Sequence, residues 1–326
     1  MVSAIESVTV GVSSLEDALA VFRDTLGLRI ESDTRASVNV LSAWRLPAHA
    51  DVRLVELSAD GHPFGRIRLA LFERTPSIAT RRDHGPNATD RATDVGPKAL
   101  DFYTGSPVEK GLQKLEAAGC HRRSEPIRYR VGEVETEEVV LDGPDGVPML
   151  LMVGHSHDRR IMRRPIAAGC FSEMATVSVV TADLEASRRF YGEVLGLTTD
   201  LDVEVPDSFR DPVCRLTGVA PGTRIHLAVF RDGEEPSGKL LLAHFFSATT
   251  GPLAHAMAPG QLGINLFTLR CDDLDELESK LRAQDFEILA RPTHVGLGDG
   301  APARLMLVRG PNLELLEVVE RTGSEA

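Results

Sequence analysis

Asp101 and Tyr103 sit two residues apart in a short alternating stretch, so a carboxylate and a phenol share one side of the chain. Leu100 and Phe102 form the apolar row on the other side, which leaves the polar pair to face a cavity. Such a pair can grip a ligand or share a proton, or the two groups can simply satisfy each other or a nearby arginine. In the second half of the chain, His226 alternates with Ile225, Leu227 and Val229, and His244 lies within the apolar stretch 239–246. Imidazole is the side chain best matched to proton transfer near neutral pH. Glu317 stands among Leu315, Leu316 and Val319. An inward carboxylate there is desolvated and its pKa rises, the usual way a glutamate becomes a general acid or base. Arg270, whose strand reaches the same region, is the cation that would instead neutralise it.

The elements that must carry these residues read clearly. Thr176–Thr181 alternates at period two and is rich in valine, which predicts a strand. Asp183 stands where a helix N-cap is wanted, Leu184 through Tyr191 follow a helical period, and Gly196 ends it. Segments 224–230 and 239–246 read as strands around an Asp232-Gly233 turn. Segments 108–119 and 274–283 read as helices.

The 326 residues suffice for two domains, and 42% apolar with 26% charged residues is ordinary for a globular protein. A net charge of −12 argues against a nucleic-acid partner, because that affinity rests on cations neutralising phosphates. No apolar run is long enough to span a bilayer and no leader-like segment opens the chain, so a cytoplasmic protein without a membrane partner is expected. The four cysteines are scattered and read as core thiols rather than a disulfide framework or zinc site. His155 and His157 lead into the basic run 157–164 and read as surface linker, and the polar stretch 75–96 reads as a lid. His294, beside Gly296, Gly298 and Gly300, reads as part of a loop over a cavity mouth.

The chain repeats itself. Val8 through Leu28 matches Val177 through Leu197, with Leu15 and Leu184, Phe22 and Tyr191, and Gly27 and Gly196 at one common offset. Leu115 and Leu281, Pro126 and Pro292, and Gly143-Pro144 and Gly310-Pro311 link two further segments. Four modules result, near 4–75, 97–153, 173–247 and 262–320, each reading strand, helix, then three strands. A strand followed by Asp/Ser-Leu-Glu, then Phe or Tyr, then Leu-Gly-Leu resembles the opening of vicinal oxygen chelate modules, and Gly143-Pro-Asp-Gly146 resembles the turn before their last strand. That family includes glyoxalase I, extradiol dioxygenases and bleomycin-resistance proteins. The resemblance implies an α+β fold of four βαβββ modules paired into two open barrels. Pairing by order along the chain places one barrel in 1–153, a linker in 154–171 and the second barrel in 172–321.

The resemblance also implies a divalent metal held by residues of the first and last strands of paired modules, which makes a checkable claim. Counting from the helix starts gives Ser7, Ala99, Thr176 and Leu266. Counting from the turns gives Leu69, Leu150, Leu242 and Glu317. Of these, only Glu317 is an imidazole or carboxylate, so no metal and no cofactor is expected. The alternative is a displaced iron or manganese site in the C-terminal barrel from His226, His244 and Glu317, with a bulge turning Asn265 inward in place of Leu266.

The expected protein is therefore a metal-independent enzyme of specialised, natural-product metabolism, monomeric or homodimeric, acting on an aromatic or polycyclic small molecule. Glu317 and His244 are its acid–base pair, with Asp101, Tyr103, Thr176, His226, Asn265 and Arg270 as ligand contacts. A drug- or metabolite-binding carrier is the competing function, and an extradiol ring-cleavage dioxygenase the third.

Overall fold

Every module opens with the alternation that the sequence implies. In β1 (Val2–Val12), Val8, Val10 and Val12 are buried against helices, while Ser7 and Thr9 point to the concave side of the sheet. The helix that follows, α1 (Leu15–Leu19), starts where the Ser14 hydroxyl accepts the Asp17 N–H, continues through a π-helical turn at Ala20–Thr25, and ends before Gly27 at a φ of +79°. The third module repeats this plan. Its strand β10 (Phe171–Val180) leads to a helix over Leu184–Arg188, which Asp183 caps by accepting the Ala186 N–H. A π-helical turn at Arg189–Val194 then precedes Gly196. The expected cap, helix and stop all stand. The computed structural model describes residues 1–73, 91–156, 166–246, 251, 258–296 and 302–321. Most of the expected lid at 75–96, together with His157 and the basic run after it, Gly298 and Gly300, lies outside the described residues.

The strands form two sheets. The first contains β1, β2 (Arg29–Arg35), β3 (Val52–Ser58) and β4 (Arg66–Phe72) of the first module. The fourth module adds β14 (Gly263–Cys271), β15 (Ile288–Gly296), β16 (Pro302–Arg309) and β17 (Leu315–Arg321). Their order is β15-β16-β17-β14-β1-β4-β3-β2. The second sheet contains β5 (Gly96–Thr104), β6 (His121–Arg122), β7 (Ile127–Val131), β8 (Val134–Asp142) and β9 (Pro148–Gly154) of the second module. The third module supplies β10, β11 (Thr198–Glu204), β12 (Ile225–Arg231) and β13 (Lys239–Phe245). Their order is β11-β12-β13-β10-β5-β9-β8-β6, with β7 paired to β8.

The four-module fold stands, but the expected division into barrels at 1–153 and 172–321 does not. The first module pairs with the fourth and the second with the third, through antiparallel contacts β1–β14 and β5–β10. The residue patterns of the modules are alike, so any first strand can in principle pair with any other, and the choice is made by contacts distant in sequence.

Those contacts sit where the two sheets meet. Ile5 N–H donates to the Gly238 carbonyl, Gly238 N–H to Met174, Met174 N–H to Gly65, and Gly65 N–H back to Ile5, at 2.9 to 3.3 Å. This closed ring takes one strand and one glycine turn from each sheet. Gly65 and Gly238 have φ of +69° and +66°, and a Cβ on either would stand 2.2 Å from a carbonyl oxygen of the ring. Between the sheets aromatic rings meet: Phe22 of the first module's π-helical turn packs on Phe102 of the second module's first strand, and Phe190 of the third module's π-helical turn on Phe286 of the fourth module.

Two short helices distinguish the barrels. In the first module, α2 (Val38–Ala43), capped by Ser37, lies between β2 and β3. At the same place in the third module lies α5 (Asp207–Thr217), between β11 and β12 and ended by Gly218 in the left-handed region. Here α3 is Val108–Ala117, α4 is Leu184–Arg188 and α6 is Leu274–Ala283.

The ring fixes the relation of the sheets through positions that tolerate no side chain. Gly65→Ala and Gly238→Ala should each destabilise the protein by about 2 kcal/mol or more, from left-handed strain plus the clash with carbonyl oxygen. Thermal unfolding followed by circular dichroism checks this; an unchanged melting temperature in both variants would refute it.

Candidate active site

The paired strands at the centre of each barrel put different chemistry on their concave faces. In the first-and-fourth-module barrel, Ser7 pairs with Thr268 and Thr268 with Glu317. Glu317 is buried but fully engaged. Its carboxylate accepts from Arg68 Nη1 at 2.9 Å, Trp44 Nε1 at 2.5 Å and Thr268 Oγ1 at 3.2 Å, and Arg68 also lies 3.7 Å from Glu56. Trp44, immediately after α2, is 2% exposed and fills the space above this carboxylate. The expected free, desolvated acid is therefore corrected: Glu317 is one half of a buried ion pair under an indole. Its cation is Arg68 and not Arg270, which pairs with Glu6. Asn265 is buried, and its amide donates to the carbonyls of Gln261 and Gly263. His294 lies in β15, where its carbonyl accepts from Asn39, and not in a loop over a cavity.

His244 and His226 are also corrected. They are cross-strand neighbours, but the cavity is lined by the other row of each strand: Leu241, Ala243 and Phe245, and Ile225, Leu227 and Val229. His244 Nδ1 lies 3.0 Å from the Thr181 carbonyl and its ring packs on Phe246. His226 Nε2 lies 2.5 Å from Asp202, which also binds Arg188 of α4. The displaced trio of His226, His244 and Glu317 is divided between two sheets and does not form.

The second-and-third-module barrel encloses a cavity of about 240 Å³. Its walls are apolar: Val140, Leu150, Met152, Leu201, Leu227, Leu241 and Phe245, with Val213 and Leu216 of α5 across the mouth. Set into those walls are Asp101 and Tyr103 on β5, Thr176 and Ser178 on β10, Lys239 on β13, and Glu138 with Tyr129 on the β7–β8 hairpin. Three of the expected ligand contacts, Asp101, Tyr103 and Thr176, thus converge, as alternation requires. Register explains the cluster: Thr176 is flanked by Asp101 on one side and Lys239 on the other.

These groups are poorly satisfied. Asp101 Oδ2 accepts from Ser178 Oγ at 2.8 Å, but Oδ1 is buried with no hydrogen-bond partner among the described residues. Lys239 is 4% exposed and has no hydrogen bond or carboxylate ion pair among the described residues; its ammonium lies over the Tyr103 ring, 5.9 Å from the centroid. Neither the Tyr103 hydroxyl nor that of Thr176 has a hydrogen-bond partner among the described residues. Glu138 accepts from the Tyr129 hydroxyl at 2.9 Å.

Burial dominates the electrostatics. It pushes the Asp101 carboxyl well above its usual range against the Ser178 hydrogen bond, with Glu138 pushing the same way. Burial takes Glu138 up to about 7 in spite of hydrogen bonds from Tyr129 and Thr136. It also keeps the Tyr103 phenol protonated. Burial lowers Lys239 to about 8, opposed by Asp200 and assisted by Arg231. At neutral pH the cavity holds Glu138 close to its own titration point, Asp101 held toward its protonated form, donors without acceptors, and an amine partly freed of its proton.

A divalent metal needs three or four convergent imidazole or carboxylate donors. The central strands of this barrel offer one carboxylate (Asp101) and one hydroxyl (Thr176), flanked at the same register by Lys239 and Leu150. An ammonium repels a cation, so this donor set does not fit one. Among the described residues, no three His, Cys, Asp or Glu side chains are grouped to hold a metal ion.

Glu138, Lys239 and α5 were not singled out from sequence. In β8, Val134, Thr136, Glu138 and Val140 share one row, so Glu138 was detectable by the same alternation that found Asp101. Lys239 is the inward residue of β13 at Thr176, hidden by a one-residue slip in the count that selected Leu242. The same slip in the first module selected Leu69, while Arg68 of the neighbouring row reaches Glu317.

The fold is the four-module vicinal oxygen chelate arrangement, shared over nearly the whole chain with solved structures. Residues 173–318 match the family described as Glyoxalase/Bleomycin resistance protein/Dioxygenase superfamily. Glyoxalase I from Zea mays has a similar fold, with a TM-score of 0.62 at 13% identity over 97% of this chain and 92% of that one. A mutant of the same maize enzyme gives 0.63 at 14% identity, over 97% and 92%. A Bacillus subtilis protein provisionally assigned as a dioxygenase gives 0.60 at 11%, over 99% of this chain and 86% of that one. No curated protein matches the chain in sequence. The family match covers the third and fourth modules, and the likeness of the whole chain to these structures is one of fold. Among the described residues, no helix is long and apolar enough to cross a membrane.

Two stability measurements follow. Glu138 binds its proton more tightly folded than unfolded, so its neutral form contributes stability that is complete below pH 4.5 and is lost as pH rises to about 7. The native protein should therefore lose roughly 2–4 kcal/mol relative to Glu138→Gln between pH 4.5 and 7.5 in urea melts, and parallel pH profiles would contradict this. Removing the carboxylate in Glu317→Gln leaves Arg68 buried beside Glu56 alone. That variant should unfold about 3 kcal/mol more easily without changing ligand binding in the other barrel.

Proposed function

We propose that the chain is a metal-independent acid–base enzyme acting on a small aromatic metabolite in the second-and-third-module cavity. Asp101 and Glu138 take the roles expected of Glu317 and His244. The observation that carries this reading is the buried, unpartnered Asp101 Oδ1 among Tyr103, Thr176 and Lys239, in a cavity largely walled by apolar side chains. Unsatisfied buried polar groups cost stability and recur where a ligand completes them. Size favours a compact ligand: an apolar cavity of about 150 Å³ takes benzene, so 240 Å³ suits one substituted ring or a small fused pair. A larger polycycle would have to extend past α5.

Chemically, Asp101 donates a proton or hydrogen bond to an oxygen of the ligand, and Glu138, near neutrality, accepts one from carbon or oxygen. Tyr103 and Thr176 orient the same oxygen. A place in natural-product metabolism accords with a hydrophobic ring-sized cavity. The walls alone would also serve a carrier, and the acid–base groups favour an enzyme.

The test uses the best binder from a panel of small aromatic ketones and phenols ranked by thermal shift. Native protein should exchange that ligand's acidic C–H for deuterium in D2O, followed by NMR. Asp101→Asn should cut the rate by about 10²-fold or more while leaving Kd within a few-fold. Binding without exchange in the native protein would make it a carrier.

A further inference from the structure

Lys239 is the residue of this cavity that acid–base chemistry leaves unused. Buried lysines are almost always paired. This one is 4% exposed, lines the cavity and has no hydrogen bond or ion pair to a carboxylate among the described residues. Nothing in the fold requires an ammonium here: the equivalent step of the strand in the other barrel, Arg66, has the His62 carbonyl to bind. Asp200 of β11, Arg231 of β12, Asp101 and Tyr103 of β5, and Glu173 of β10 surround it. Arg231 is itself held by Asp200 at 3.0 Å, so the carboxylate that acts most strongly on Lys239 is already engaged by another cation.

We propose that Lys239 is a nucleophilic amine that forms an imine with an aldehyde or ketone bound in this cavity. The proposal rests on the acid–base reading of the same site and narrows its substrate to carbonyl compounds. The neutral amine nitrogen attacks the carbonyl carbon. A C–N bond forms, the C–O π pair moves to oxygen, and that oxygen takes a proton from the Asp101 carboxyl. The nitrogen then loses a proton to the Asp101 carboxylate. Its lone pair expels the hydroxyl, which leaves as water with the proton returned by Asp101. One carbonyl, one neutral amine and the Asp101 proton give one protonated imine, one water and the Asp101 carboxylate, with no oxidant or reductant. Burial beside a second cation is the environment in which a lysine holds enough neutral amine to act near pH 8. Tyr103, beneath the nitrogen, keeps it directed at the cavity.

The experiment treats full-length protein with benzaldehyde and cyanoborohydride, which reduces an imine to a stable benzylamine, and maps the adduct by mass spectrometry. The other lysines, Lys98, Lys110, Lys114 and Lys280, and the Met1 amine serve as internal references. Lys239 should be labelled at least about tenfold faster than any of them, with a rate that rises to a plateau above pH 8. Lys239→Met should lose this fast adduct, and Asp101→Asn, which retains the amine, should slow it about tenfold. Labelling of Lys98 or the exposed lysines ahead of Lys239 overturns the proposal. Fast labelling of Lys239 with no C–H exchange in any ligand keeps the amine and refutes the acid–base reading. C–H exchange in the native protein with Lys239 labelled no faster than the reference amines refutes the amine alone.

Discussion

The ring of four backbone hydrogen bonds through Ile5, Gly65, Met174 and Gly238 is the constraint on which the architecture turns. It is small, but each member belongs either to the first strand of its module or to the glycine turn before the last one, so it ties the two sheets together at their central strands. With Gly65 and Gly238 in the left-handed region, the turns approach the neighbouring strands closely enough to donate and accept. A side chain at either glycine would push the turn away and open the ring. Because two of its four bonds link the first module to the third and two link turns to their own sheets, the ring also aligns β1 for β14 and β10 for β5.

From that common frame the two barrels diverge by what fills them. In one, α2 delivers Trp44, whose indole N–H completes a carboxylate already paired with Arg68, while the Ser7 and Thr9 hydroxyls beside them stay without a hydrogen-bond partner among the described residues. In the other, α5 arrives at the matching place but contributes Val213, Leu216 and backbone around Gly218, which roof the space without filling it. One barrel has used its buried carboxylate on an arginine and an indole. The other retains a buried carboxyl and a buried amine around an open space. A buried charge pair and an open polar cluster are thus alternative ends for the same scaffold, chosen by one inserted helix.

What the sequence made legible was local. The Asp183 cap, the Gly196 stop, the helices at 108–117 and 274–283, and the inward faces of Asp101, Tyr103 and Thr176 depend on neighbours a few residues away. Register in the last strands was not legible, because a strand read one residue out of step exchanges its faces. The turn at Gly233–Gly238 differs from the Gly143–Gly146 turn of the second module, so a count carried between them moved the reading from Leu241 to Leu242 and from Ala243 to His244. The partner of Glu317 was hidden for another reason: Arg68 and Trp44 lie some 250 residues or more away along the chain. Module pairing was equally non-local, since four similar strand openings carry no label saying which should meet.

The nesting of the sheets also orders their assembly in time. The second and third modules are consecutive, and their sheet is complete once β13 has left the ribosome. The strand β1 emerges before them but is paired along one edge only after β14, at Gly263–Cys271, has been made. The ligand-sized cavity is thus built inside an enclosing pair whose later strands close beside it afterwards. During synthesis β1 must be kept from false partners, and its parallel neighbour β4 covers the other edge in the meantime.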